Sequence, residues 1–160
     1  MKIKFAIIKK TLLALLLSVL FTYCNSSERS DLIYLYSKDK SQVISIISDY
    51  NNNKRIIALG KTITQPNSNY VQLDISDVTE FSDEIGICWL SNNGWQIVNN
   101  NSKIIKTDLD TTKYIIKTKW EEDEDGIPTP IFYKKENCYT VGALNYSKIH
   151  PSDNGYVERQ

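Results

Sequence analysis

One histidine is all that these 160 residues provide. It is His150, followed by Pro151, Ser152, Asp153, Asn154 and Gly155, an irregular, turn-rich tail. Any Ser-His-Asp or Cys-His arrangement would have to use it. Closeness in sequence does not give Ser152 and Asp153 triad geometry, so His150 reads as a surface residue. Cysteine is also scarce, with three copies at Cys24, Cys88 and Cys138. Beyond the N-terminal segment only Cys88, Cys138 and His150 could supply the nitrogen and sulfur ligands of a zinc site, which makes one improbable. No phosphate loop, dinucleotide fingerprint or metalloprotease helix motif occurs. No cofactor and no resident metal are expected. Nor is there an internal repeat of fixed period.

What is present begins with an N-terminal segment of two parts. Met1 to Lys10 carries four lysines and no acid. Thr11 to Thr22 is then mostly apolar, with Leu12, Leu13, Ala14, Leu15, Leu16, Leu17, Val19, Leu20 and Phe21. This is a charged region and an apolar region in the order of an export signal, residues 1–23. The apolar stretch is short of the roughly 20 residues a spanning helix needs, which weighs against an uncleaved anchor. Its end reads Leu20-Phe21-Thr22-Tyr23-Cys24-Asn25-Ser26-Ser27. Residues 1–24 are similar to bacterial lipoprotein precursors. The resemblance implies that Cys24 is acylated on sulfur, becomes the mature N-terminus and holds the chain on a membrane of the cell envelope. Residues 24–30 would then be a polar tether, with no apolar side chain to pack. Cys24-Asn25-Ser26 also offers small residues to an ordinary signal peptidase cutting before Ser27, which would give a soluble periplasmic or secreted product.

The formal net charge is zero. Lys2, Lys4, Lys9 and Lys10 belong to the signal, so the mature part keeps fifteen basic residues against nineteen acids, a net charge of −4. A mildly acidic domain has no electrostatic footprint for nucleic acid and no polybasic patch for anionic lipid. With Cys24 acylated or removed, Cys88 and Cys138 form an even pair in an oxidising compartment. A disulfide between them is expected; two buried free thiols are the alternative.

Residues 31–160 suit one domain. An apolar content of 41% and a charged content of 24% make a packed core feasible. Strand patterns recur at Leu32–Tyr36, Val43–Ser48, Arg55–Leu59, Tyr70–Leu73, Ile85–Leu90, Trp95–Val98, Lys103–Ile105, Lys113–Trp120, Ile131–Tyr133 and Cys138–Leu144. Val43–Tyr50 also has helical spacing, but Val43, Ile44, Ile46 and Ile47 are β-branched and Asn51 follows at once, so it reads as strand. Asn51-Asn52-Asn53, Asn92-Asn93-Gly94 and Asn99-Asn100-Asn101 read as hairpin turns. Lys113–Trp120 alternates Tyr114, Ile116, Thr118 and Trp120 with Lys113, Lys117 and Lys119, Ile115 being the exception, the pattern of an antiparallel strand exposed on one side. The expected fold is mainly β, an antiparallel sandwich or partly open barrel of about seven to ten short strands, by the spacing of turn signals.

Four features carry candidate function. The acidic run Glu121-Glu122-Asp123-Glu124-Asp125-Gly126 offers oxygen ligands, but its spacing is not that of a calcium loop, so it reads as a solvated connection. Trp89, Trp95 and Trp120 could form a carbohydrate platform, though aromatics at strand positions are more often core. The ten tyrosines suit half-buried sheet positions and binding surfaces. Asp74, Asp77, Glu80, Asp83 and Glu84 could do acid–base work in an envelope hydrolase, but they sit in a polar stretch without a clear site. The expectation is therefore a non-catalytic, envelope-bound interaction module, such as an immunity or inhibitor protein with a protein partner. The alternatives are that hydrolase, or an accessory subunit of an envelope complex.

Overall fold

The computed structural model describes residues 30–79, 83–121, 136–142 and 155–160. These form ten strands: β1 (Ser30–Ser37), β2 (Val43–Asp49), β3 (Lys54–Leu59), β4 (Tyr70–Asp74), β5 (Glu84–Trp89), β6 (Trp95–Asn99), β7 (Lys103–Thr107), β8 (Tyr114–Lys117), β9 (Cys138–Gly142) and β10 (Gly155–Arg159). Among the described residues no helix is long and apolar enough to cross a membrane.

The strands form two sheets, one in the order β10-β1-β2-β3-β4-β7 and the other β8-β6-β5-β9. They pack face to face as a sandwich. The period of two decides which residues meet between them. Ile33 and Leu35, Ile44 and Ile46, Ile57, Val71 and Leu73 point in from the first sheet. Ile85, Ile87, Trp89, Trp95, Ile97, Tyr139 and Val141 point in from the second. The intervening positions of the first sheet build a small outer cluster of Ile56, Ala58 and Tyr70 with Ile47 beside it. The β3–β4 connection folds over part of this face: Thr62 N donates to Ser45 Oγ at 2.8 Å, and Ser45 Oγ donates to the Gly60 carbonyl at 2.7 Å.

Two of the three Asn-rich segments are hairpin turns as expected. Residues 50–53 join β2 to β3, and residues 90–94 join β5 to β6. In the latter, Asn93 takes the positive φ, at 58°. Gly94 is needed for a different reason. The Lys113 carbonyl lies where a Cβ would stand, and that carbonyl accepts from Trp95 N at 3.2 Å. Asn99–Asn101 is not a hairpin turn. It carries the chain from β6 in the second sheet to β7 in the first.

That crossing also corrects the reading of Lys113–Trp120. The strand covers only Tyr114–Lys117 and runs parallel to β6, with Trp95 opposite Tyr114 and Val98 opposite Lys117. The chain leaves β6 for β7 and comes back for β8, so two reversals restore the direction of β6. Tyr114 and Ile116 do pack on the core. Trp120 lies past the strand end and packs on the other face of the sheet, against Cys88, Val98 and Cys138.

Of the expected tail, residues 151–154 lie outside the described residues, and its last residue, Gly155, opens a strand. Gly155–Arg159 is a strand that pairs antiparallel with β1, with Ile33 opposite Arg159 and Ser37 opposite Gly155. Gly155 meets the Tyr139 ring where a side chain would stand, so this edge closes tightly on β9. The expected strand at Ile131–Tyr133 lies outside the described residues.

Candidate functional site

The two ends of the sandwich differ in chemistry. At one end an ionic network joins the sheets. Arg55, second residue of β3, shares the inward face of Ile57. Its Nη1 and Nη2 donate to Asp83 Oδ1 and Oδ2 at 2.8 and 2.7 Å, a bidentate pair. Both side chains are 0% exposed. Arg55 Nε donates to Ser48 Oγ at 2.9 Å, and Nη1 also reaches Asn99 Oδ1 at 2.8 Å. The Tyr50 hydroxyl donates to Asp83 Oδ2 at 2.9 Å. Burial works to lower the Arg55 pKa, and the Asp83 carboxylate with Tyr50 outweighs it, so the net direction is upward. Burial pushes the Tyr50 phenol up to about 12, helped by Asp83 and opposed by Arg55. The network extends to Asp31 of β1, whose carboxylate lies 3.5 Å from Arg159 Nη1 of β10. Burial raises the Asp31 pKa, and Arg159 and Arg55 hold it back.

This arrangement is a seal. Both charges of its central pair are out of contact with water, and the Ser48 and Tyr50 hydroxyls and Asn99 Oδ1 bond to it. The other carboxylates singled out in the sequence do not join it. Asp74 accepts from Ser76 N in the turn after β4, and that backbone bond holds its pKa below the ordinary value. Asp77 pairs with Lys103 at 2.7 Å in solvent. Glu84 begins β5, half-buried. Glu80, His150, Cys24 and residues 122–126 of the acidic run lie outside the described residues. Glu121, which opens that run, is ion-paired with Lys117. Among the described residues no group of acids, cysteines and histidine is placed to hold a metal ion. Arg55 itself was legible only as a strand residue. The signal was there: alternation puts it on the face of Ile57 and Leu59, and a buried guanidinium requires an acid.

Cys88 and Cys138 are bonded as a disulfide between directly opposed residues of β5 and β9. A disulfide persists in an oxidising compartment, as an exported chain meets. Trp89 and Trp95 face each other across the β5–β6 hairpin. Both are buried, so they offer no flat carbohydrate platform. The tyrosines divide. Tyr34, Tyr70 and Tyr139 are buried, whereas Tyr156 is 42% exposed. Lys61, Lys106 and Lys40 lie over the rings of Tyr34, Tyr70 and Tyr156 at 4.5, 5.1 and 4.5 Å.

The remaining surface feature is β7. Among the described residues it ends the first sheet, and its one strand neighbour is β4. All five of its residues are exposed, including Ile104 at 46% and Ile105 at 58%, and Ile105 is the extra residue of a β-bulge, since Gln72 pairs with Lys106 and Leu73 with Ile104. Lys103 and Lys106 flank them. Comparison of the chain with family models, with curated proteins and with solved structures returns no match.

Proposed function

We propose that this chain is an exported, lipid-anchored binding module that engages a protein partner through the free edge of β7 and performs no chemistry of its own. The observation that carries the reading is that edge. A strand with an unpaired row of backbone N–H and C=O groups templates the addition of another strand. Here it also exposes two isoleucines, Ile104 and Ile105. A second copy is a poor occupant, because two β7 strands side by side would bring Lys103 and Lys106 of each together. The fitting partner is a different protein with an extended segment that sets acids against the lysines and apolar side chains against Ile104 and Ile105. A tether from Cys24 would hold the domain near such a neighbour and raise its effective concentration. Envelope immunity and inhibitor proteins, which neutralise toxins or hydrolases by binding, are modules of this kind.

A photo-crosslinking amino acid at Ile105 tests the docking edge in the full chain, expressed in a bacterial host. One defined partner band is expected, with none from the same group at Ile63, which is 70% exposed elsewhere on the surface. Ile105→Lys should abolish partner binding, and the β7 amides should gain hydrogen-exchange protection in the complex. Partner contact that ignores Ile105→Lys, or turnover of a glycan, peptide or ester substrate by the purified chain, would sink the proposal.

Anchoring has its own test. Fatty-acid labelling of the precursor should mark the wild type and leave Cys24→Ala unmarked. An unlabelled, water-soluble product beginning at Ser27 would replace the anchor with ordinary secretion.

A further inference from the structure

The first sheet has a second edge, opposite β7. Among the described residues β10 has one strand neighbour, β1. Gln160 N donates to the Leu32 carbonyl at 3.1 Å. Backbone groups along an antiparallel strand point to its two sides in alternation. Tyr156 and Glu158 therefore address β1, while Gly155, Val157 and Arg159 turn their N–H and C=O groups the other way. The contact of Gly155 with the Tyr139 ring is made through its inward, Cβ side, out of line with that row.

Where β7 would repel its own copy, β10 is self-complementary. A slip by one residue would set inward side chains against outward ones, so two sheets that merge keep odd-numbered residues opposite odd-numbered ones. A pairing centred on Glu158 brings two carboxylates together, which is unfavourable. One centred on Tyr156 pairs only residues 155–157. One centred on Val157 pairs all five residues of the strand, with Tyr156 opposite Glu158 and Gly155 opposite Arg159. Gly155 has no side chain to crowd Arg159 of the second copy, whose guanidinium keeps Asp31 and the Gly142 carbonyl.

The outer-face side chains suit that register. Tyr156 is 42% exposed, with the Tyr36 ring 5.8 Å away and the Lys40 ammonium 4.5 Å over its face. Glu158 already accepts from the Tyr36 hydroxyl, diagonal to it on β1, at 2.7 Å, and from Lys61 at 3.0 and 3.1 Å. A carboxylate has about four acceptor sites, so it can also take the hydroxyl of a tyrosine directly opposite.

We propose that β10 is a homodimer interface. Two copies pair β10 antiparallel about Val157, and their six-stranded sheets become one of twelve. The pairing does not depend on what docks at β7. Because β7 and β10 end the sheet on opposite sides, the dimer presents two β7 edges, one at each end.

Disulfide trapping of the full chain in a bacterial host tests the interface, with the unsubstituted chain as background. Val157→Cys places two thiols on the symmetry axis, at the Cα spacing of about 5.5 Å of a hydrogen-bonded pair, and a reducible dimer band is expected. Tyr156→Cys alone and Glu158→Cys alone should each trap about tenfold less, since like positions stand diagonal to one another. Co-expressed with different tags, these two variants should give a strong band that carries both tags. In the Val157→Cys chain, Tyr156→Glu sets like charges opposite at two symmetric positions and should reduce trapping about tenfold, whereas Tyr156→Lys should keep it. No band from Val157→Cys or from the mixed pair, in chains that retain the Cys88–Cys138 bridge, overturns the interface. A Tyr156→Cys band as strong as that of the mixed pair overturns the register. Equal trapping with Tyr156→Glu and Tyr156→Lys overturns the contact between Tyr156 and Glu158.

Discussion

Asp83→Ala should destabilise the fold by about 3–5 kcal/mol, the cost of leaving a buried charge without its partner. Arg55 would keep Ser48, Tyr50 and Asn99, all neutral, around a guanidinium that no water reaches. Tyr50 would lose the acceptor of its hydroxyl proton as well. Asp83→Asn should cost less, since the amide oxygen still accepts from one guanidinium nitrogen. The informative variant is the double one. Arg55→Met with Asp83→Leu removes both ions and fills the space with apolar atoms, and it should recover much of the loss. Urea denaturation of the full chain in nanodiscs, analysed as a double-mutant cycle, measures the coupling. A single-variant loss below about 1 kcal/mol would mean that the pair is hydrated in solution, against its burial here.

The seal shows where sequence reading stops. Local rules worked wherever the partner of a strand was its neighbour in sequence. β-branched runs at Val43–Ser48 and Arg55–Leu59 are strands, and the Asn-rich turns between neighbours of one sheet are hairpins. Asn takes the positive φ in those turns and again at Asn69, Asn101 and Asn137. The same chemistry misled at Asn99–Asn101. A left-handed residue turns the chain and does not say which sheet receives it. From that ambiguity follows the parallel β8, whose direction depends on β7 having left the sheet. Gly155–Arg159 was hidden because its pairing strand, β1, lies more than a hundred residues earlier. Two of its five residues are charged, and both are engaged: Glu158 accepts from the Tyr36 hydroxyl at 2.7 Å, and Arg159 pairs with Asp31.

The expected disulfide is formed, and it rests on a different argument because redox compartment, not pattern, predicted it. A cavity between the sheets and the docking edge had no comparable signal. Trp89, Trp95 and Leu59 look like core residues and pack there; that they line one cavity with Val43 depends on which strand ends meet across the sandwich. Ile104 and Ile105 read as an ordinary strand; only the sheet order reveals that, among the described residues, β7 stands at an edge with all five of its residues exposed.

The second large effect is expected from Cys88→Ala with Cys138→Ala. Two sulfurs 50 residues apart close a loop that restricts the unfolded chain by about 4 kcal/mol in the chain-entropy account, and losing it should cost about 2–5 kcal/mol. The loop contains β6, β7 and β8, the strands that change sheets twice, so the unfolded chain regains most freedom where the topology is least local. Native packing adds to this, since the sulfurs sit against Val98 and the Trp120 ring. Thermal unfolding of the double variant should fall by roughly 10 °C or more for a domain of this size. Reducing agent should lower the wild type by a similar amount and leave the variant unchanged. A double variant that unfolds at the temperature of the oxidised wild type, while reduction still lowers the wild type, would place the effect in native packing around the thiols. A drop in neither would mean that contacts within residues 88–138 persist after unfolding and already hold that loop closed.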